Sequence, residues 1–203
     1  MQVSKLTDKT CRFVMIISLV VLALLIMFTY SNFKNGLTSE TINVRNINVE
    51  IIGGKNEVAT KYIEDINYIQ DGLIPLAAKI VLTVNDVSEQ AGVKTDNEYI
   101  LANANAVTTP ENKTIYINTN TYNDLTLQHE FYHLLDYSKQ ISESEKFREM
   151  MDRNLEYLNL NAYQSSCYQE MFVAVMLEYQ YNKEELKVKC PEVEEFGRGI
   201  ESE

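Results

Sequence analysis

Histidine is nearly missing from this chain, with two in 203 residues, which excludes any site built on three imidazoles. Cysteine is scarce too: of three, only Cys167 and Cys190 fall beyond the first 30 residues. They can pair in an oxidising space, but two cysteines make no disulfide framework. Basic charge also falls short, with 18 Lys and Arg against 29 Asp and Glu, a net charge of −11. Lys5, Lys9, Arg12 and Asp8 give residues 1–30 a charge of +2, so −13 falls on the remainder. So acidic a surface argues against nucleic acid or anionic lipid as partners and is compatible with a basic or neutral peptide. No internal repeat is present, and a chain of this length reads as one globular domain plus additional sequence.

The additional sequence lies at the front. Phe13 to Tyr30 form 18 positions without a charge. As a helix they reach about 27 Å, close to the roughly 30 Å of a bilayer's hydrocarbon core. A cleaved secretory signal is the alternative, and it would make the protein secreted. The length of the run, and its exit through Met27, Phe28, Thr29 and Tyr30 with no Ala-x-Ala pattern, favour a retained anchor. Basic residues precede the span and only Lys34 closely follows it, which places the N-terminus in the cytoplasm and the rest outside. The expected organisation is a cytoplasmic N-terminus at 1–12, a transmembrane helix at 13–30, a polar linker at 31–45 and a folded domain at 46–203.

Within that domain, Ile47, Val49 and Ile51 alternate before Gly53-Gly54, as in a strand. Val58, Tyr62, Ile66 and Ile69 recur at helical spacing, which predicts a helix over 56–70. A loop containing Pro75 follows, then the β-branched run 79–84 reads as a buried strand. Segments 99–107 and 114–118 flank a turn-forming stretch and predict a β-hairpin. Helices are expected over 124–138 with Asn123 or Asp124 as cap, over 143–157, and over 167–181 capped by Ser166. A short helical turn at 183–187 and an acidic tail complete the chain. Strands first and helices after make an α+β domain.

Both histidines lie in one stretch, His129-Glu130-Phe131-Tyr132-His133. Helical positions four apart share a face, so two imidazoles can aim at one ion about 2.0–2.1 Å from each nitrogen. Glu130 is offset by one residue, which suits a general base acting on water rather than a ligand. Leu127, Phe131 and Leu134 give the same helix an apolar side. The bland alternative is two histidines falling by chance on a solvated face. A catalytic zinc needs a third protein ligand, and without another histidine it must be a carboxylate or thiolate. Spacing selects none. Glu170 is a candidate because it opens a helix rich in residues that demand burial, Met171, Phe172, Val175 and Met176, and a carboxylate at the edge of such a helix needs a partner. An ordinary surface glutamate fits equally well.

The stretch 129–137, with Tyr163 seven residues before Glu170, resembles the catalytic domain of anthrax lethal factor and the related secreted clostridial Pro-Pro endopeptidases. Leu186, Lys187, Cys190, Pro191 and Phe196 are similar to that family's C-terminal pattern. The resemblance spans roughly 47–197 and is sharpest over 125–196. It implies a zincin-like, gluzincin-type metallopeptidase domain: a small mixed sheet, an active-site helix and C-terminal helices. It further implies His129, His133 and Glu170 as zinc ligands, Glu130 as the residue that activates water, and Tyr163 as a hydroxyl donor to the oxyanion. Asp136 matches an acid found one turn after the second histidine and is expected either to support a ligand from behind or to secure the helix end, with no ligand role of its own. Ala174 departs from the pattern, since the family often carries a second glutamate there.

The expected function is a membrane-anchored, outward-facing zinc metalloendopeptidase with a monomeric catalytic domain. Its peptide or protein substrate would lie along an edge strand supplied by the 99–118 hairpin. A non-catalytic zinc-binding surface module that recognises a peptide or partner is the alternative. A purely structural zinc site fits poorly, because such sites close four protein ligands and favour cysteine.

Overall fold

Ile47, Val49 and Ile51 are each at most 1% exposed while Asn48 faces solvent. Burial of that alternating face drives the sheet around which the molecule is built. The computed structural model describes residues 21–22, 39–92 and 105–201. Among the described residues no helix is long and apolar enough to cross a membrane. The expected span at 13–30, apart from Val21 and Leu22, lies outside them.

Strand β1 (Ser39–Val44) pairs antiparallel with β2 (Ile47–Ile52). Arg45 and Asn46 join them with φ of 50° and 69°, the backbone of a two-residue hairpin turn. The linker expected over 31–45 is therefore too long, because its last residues are sheet. Only Ile42 and Val44 of β1 pack on the core, so the sequence carries too little alternation to announce a strand. The Arg45 side chain then reaches across to the carbonyls of Ile66 (2.9 Å) and Ile69 (2.6 Å) and pairs with Asp71.

Helix α1 (Glu57–Asp65) is capped by Asn56, whose side chain accepts from the Ala59 N–H, and continues as a 3₁₀ turn over Ile66–Tyr68. A second 3₁₀ turn, Ile74–Leu76, holds Pro75. Strand β3 (Lys79–Thr83) is parallel to β2, and the short helix α2 (Val87–Ala91) follows. Strands β4 (Ala106–Thr109) and β5 (Thr114–Asn118) form the expected antiparallel hairpin around a 3₁₀ turn at Pro110–Asn112. Residues 99–104 of that expected hairpin lie outside the described residues. The five strands run in the order β1-β2-β3-β5-β4, with β3 and β5 parallel. Among the described residues β4 is thus an edge.

Helix α3 (Thr126–Lys139) carries both histidines and lays Leu127, Phe131 and Leu134 into the core, as its periodicity demands. Leu125 rather than Asn123 or Asp124 stands at its cap, with no side-chain capping bond; the Asn123 side chain instead accepts from the Leu125 N–H at 2.9 Å, in the turn ahead of the helix. Helix α4 (Glu145–Asn154) is capped by Ser144 and ends in a 3₁₀ turn at Leu155–Tyr157. Helix α5 (Tyr168–Lys189) differs from expectation at its cap. Cys167 rather than Ser166 stands at its cap, with no side-chain capping bond. A non-helical Asn182 (φ −128°, ψ 31°) divides it into two helical segments, as expected, the second running on to Lys189.

The acidic tail is helix α6 (Pro191–Glu201), with Val193 and Gly197 buried and Phe196 and Ile200 packed on the core. Pro191 starts it without loss of a needed N–H. Phe147, Phe172 and Phe196 lock α4, α5 and α6 together, with ring centroids 5.4–6.4 Å apart. The result is a mixed α+β unit spanning Ser39–Glu203.

Gly197 is the closest contact in this helical layer. A Cβ there would stand 2.4 Å from Cγ of Tyr179, a ring only 4% exposed and tied through its hydroxyl to Glu201 at 2.7 Å. Gly197→Ala should destabilise the fold by about 1–3 kcal/mol through overpacking. The measurement is the urea midpoint of unfolding, and an unchanged midpoint would contradict this packing.

Candidate metal centre

The apolar side of α3 is fixed on the sheet, so the imidazoles of His129 and His133 project together on the other side. Their Nε2 atoms lie 3.0 Å apart and their rings stand edge to face at 76°. Glu170, in the first turn of α5, meets them from across the helix pair. Its Oε1 is 3.3 Å from Nε2 of His133 and its Oε2 is 3.4 Å from Nε2 of His129. Three residues expected from sequence to act together thus come together, from two segments 37 residues apart.

These three residues form a group that can hold a metal ion. A tetrahedral ion with bonds of about 2.0–2.1 Å separates its ligands by about 3.3–3.4 Å, close to the distances found. One further atom points the same way. Oε2 of Glu170 is buried with no hydrogen-bond partner, an arrangement that costs about 1–3 kcal/mol or more for a charged group. An ion between the three side chains supplies that partner.

The electrostatics of the metal-free arrangement are uneven. Burial depresses the pKa of His129, outweighing the nearby Glu130. Burial also opposes charge on His133, but the hydrogen bond to Glu170 and the charges of Glu130, Glu170 and Asp136 prevail and raise it. For Glu170, burial favours the neutral acid, yet the hydrogen bond from His133, both imidazoles and Tyr163 together lower its pKa. The carboxylate is therefore charged at neutral pH, as a ligand must be.

Glu130 is 6% exposed. The Thr108 hydroxyl of strand β4 donates to its Oε2 at 2.5 Å. Tyr163, ahead of α5, donates its hydroxyl to Oε1 of Glu170 at 2.9 Å and stacks its ring 6.4 Å from that of His129. Burial, and then the charge of Glu170, push the phenol's pKa well above its ordinary value. Asp136 lines the same cleft but is no part of the three-residue group. It accepts from the Ser142 N–H (2.7 Å) and hydroxyl (2.6 Å), pinning the turn that leaves α3. Of the two roles expected of it, these bonds are those of the helix-end role.

A cleft of about 340 Å³ opens over these groups, walled by Ala106, Val107 and Thr108 of β4 and by Glu130, His133 and Tyr163. The edge strand and the histidine helix therefore face one another across it. Ala174 lies elsewhere, lining a different cavity with Leu158 and Leu160. Cys167 is exposed and Cys190 buried, and both are free thiols. Sequence reasoning missed Thr108, whose place in the site depends on strand register. Searches against protein-family models and curated proteins found no match.

The full-length chain should bind one divalent ion, read by titration with zinc or cobalt(II) against a competing chelator. His129→Ala, His133→Ala and Glu170→Ala should each abolish stoichiometric binding, whereas Tyr163→Phe should retain it. Undiminished binding in the three ligand variants would refute this centre.

Proposed function

We propose that this chain is a zinc-dependent metalloendopeptidase of the gluzincin type, with a zincin-like catalytic domain. The observation that carries the reading is the triangle of two imidazoles and one carboxylate in an open cleft, with Glu130 beside it. Two nitrogen donors and one oxygen donor suit zinc, and three protein ligands leave a coordination position open, as a catalytic site requires.

A bound zinc would polarise the scissile carbonyl and lower the pKa of water at neutral pH. The remaining work falls to the chain. The position of β4 at the sheet edge supports an extended peptide pairing along it, which presents one peptide bond to the cleft. Glu130 takes a proton from the attacking water and returns it to the leaving amine. Tyr163, a phenol and so protonated at neutral pH, donates to the oxyanion that develops on the substrate carbonyl. Its hydroxyl rests on Glu170, so it starts from within the site. We further propose that the apolar segment at 13–30 anchors the chain in a membrane, with this domain on the outer face, acting as a monomer on an extracellular peptide or protein.

The test is cleavage of a peptide library by the full-length chain with and without chelator. Glu130→Gln should keep one zinc and lose cleavage by at least about 10²-fold. Tyr163→Phe should lower kcat by about 10²–10³-fold. One bound zinc without chelator-sensitive cleavage would instead identify a non-catalytic zinc module that binds its peptide uncut, and full activity in Glu130→Gln would overturn the mechanism.

A further inference from the structure

The sheet contains a row whose composition breaks at one place. Ile42, Val49, Ile80, Ile115 and Thr108 are successive register partners across the five strands. Cross-strand partners share a face, and Val49, Ile80 and Ile115 are completely buried. The row is aliphatic until β4, where the β-branched shape is kept but a methyl becomes a hydroxyl. The following position in β4, Thr109, spends its hydroxyl on the backbone carbonyl of Thr114. Thr108 instead turns toward α3, with its Oγ1 2.5 Å from Oε2 and 3.4 Å from the backbone oxygen of Glu130.

We infer that Thr108 is a positioning residue for the general base. The inference rests on the hydrolytic reading above. A glutamate side chain has three rotatable bonds, and one turned away from the cleft cannot take a proton. The bond from Thr108 holds Oε2 and leaves Oε1 as the oxygen that accepts the water's proton. Valine would fill the same aliphatic row equally well, so the hydroxyl serves the carboxylate rather than the packing. Because Thr108 sits on the strand that would pair with the peptide, the base and the substrate backbone are referenced to one element. A general base is sensitive to misplacement on the ångström scale.

Thr108→Val and Thr108→Ser separate this role from a structural one. Thr108→Val should lower kcat about tenfold, with KM changed less than about twofold and one zinc per chain retained. Thr108→Ser, which keeps the hydroxyl, should restore kcat. In crystals of the metal-free proteins, the Glu130 carboxylate should hold one position in the wild type and leave it in Thr108→Val. Wild-type kcat in Thr108→Val, a rise in KM alone, or an unmoved Glu130 would overturn the assignment. An inactive wild-type chain would defeat the hydrolytic reading and the catalytic meaning of the bond with it. Cleavage by the wild type with Thr108→Val equally active would defeat this inference alone.

Discussion

Two imidazoles and a carboxylate held within about 3.5 Å of one another in a half-buried space repel or compete unless something binds them together. Packing on the far sides of two helices enforces that proximity. Phe131 on α3 and Phe172 and Val175 on α5 are completely buried, so neither helix can rotate to relieve the site. The Phe147, Phe172 and Phe196 cluster fixes α5 against α4 and α6 in turn. The arrangement is therefore pre-formed, as a metal centre or an enzyme cleft requires.

The local part of this centre was legible in the sequence because it depends on one helix. His129, Glu130 and His133 follow from spacing four apart, and Leu127, Phe131 and Leu134 from the opposite stripe. Glu170 and Tyr163 were not legible in the same sense. Their pairing with α3 is a tertiary fact; the burial-demanding helix made Glu170 one candidate among many acids, and family resemblance singled out Tyr163. Thr108 lay further out of reach, since its meaning comes from a register that passes through four strand pairings.

Misread elements share a cause. Strand β1 offers two apolar side chains and faces solvent elsewhere, so its hydrogen bonds to β2, not its composition, make it a strand. Helix α6 hides its apolar stripe of Val193, Phe196, Gly197 and Ile200 among acids, and Gly197 reads as a breaker although it is the point of close approach to Tyr179. The expected division between 167–181 and 183–187 is present, since Asn182 is non-helical and separates two helical segments. Ala174, which departs from the family pattern, is buried and lines a cavity other than the cleft over the three ligands.

Sheet order carries a mechanical consequence. The chain enters the folded unit through β1, at one margin, and the cleft is bounded by β4, at the other. Four inter-strand steps of about 4.8 Å each place some 19 Å of hydrogen-bonded sheet between the two. A pull applied at Ser39 is borne first by the β1–β2 ladder and by the guanidinium of Arg45 gripping the end of α1. Load from the N-terminal side therefore meets first the sheet margin opposite the strand that bounds the cleft.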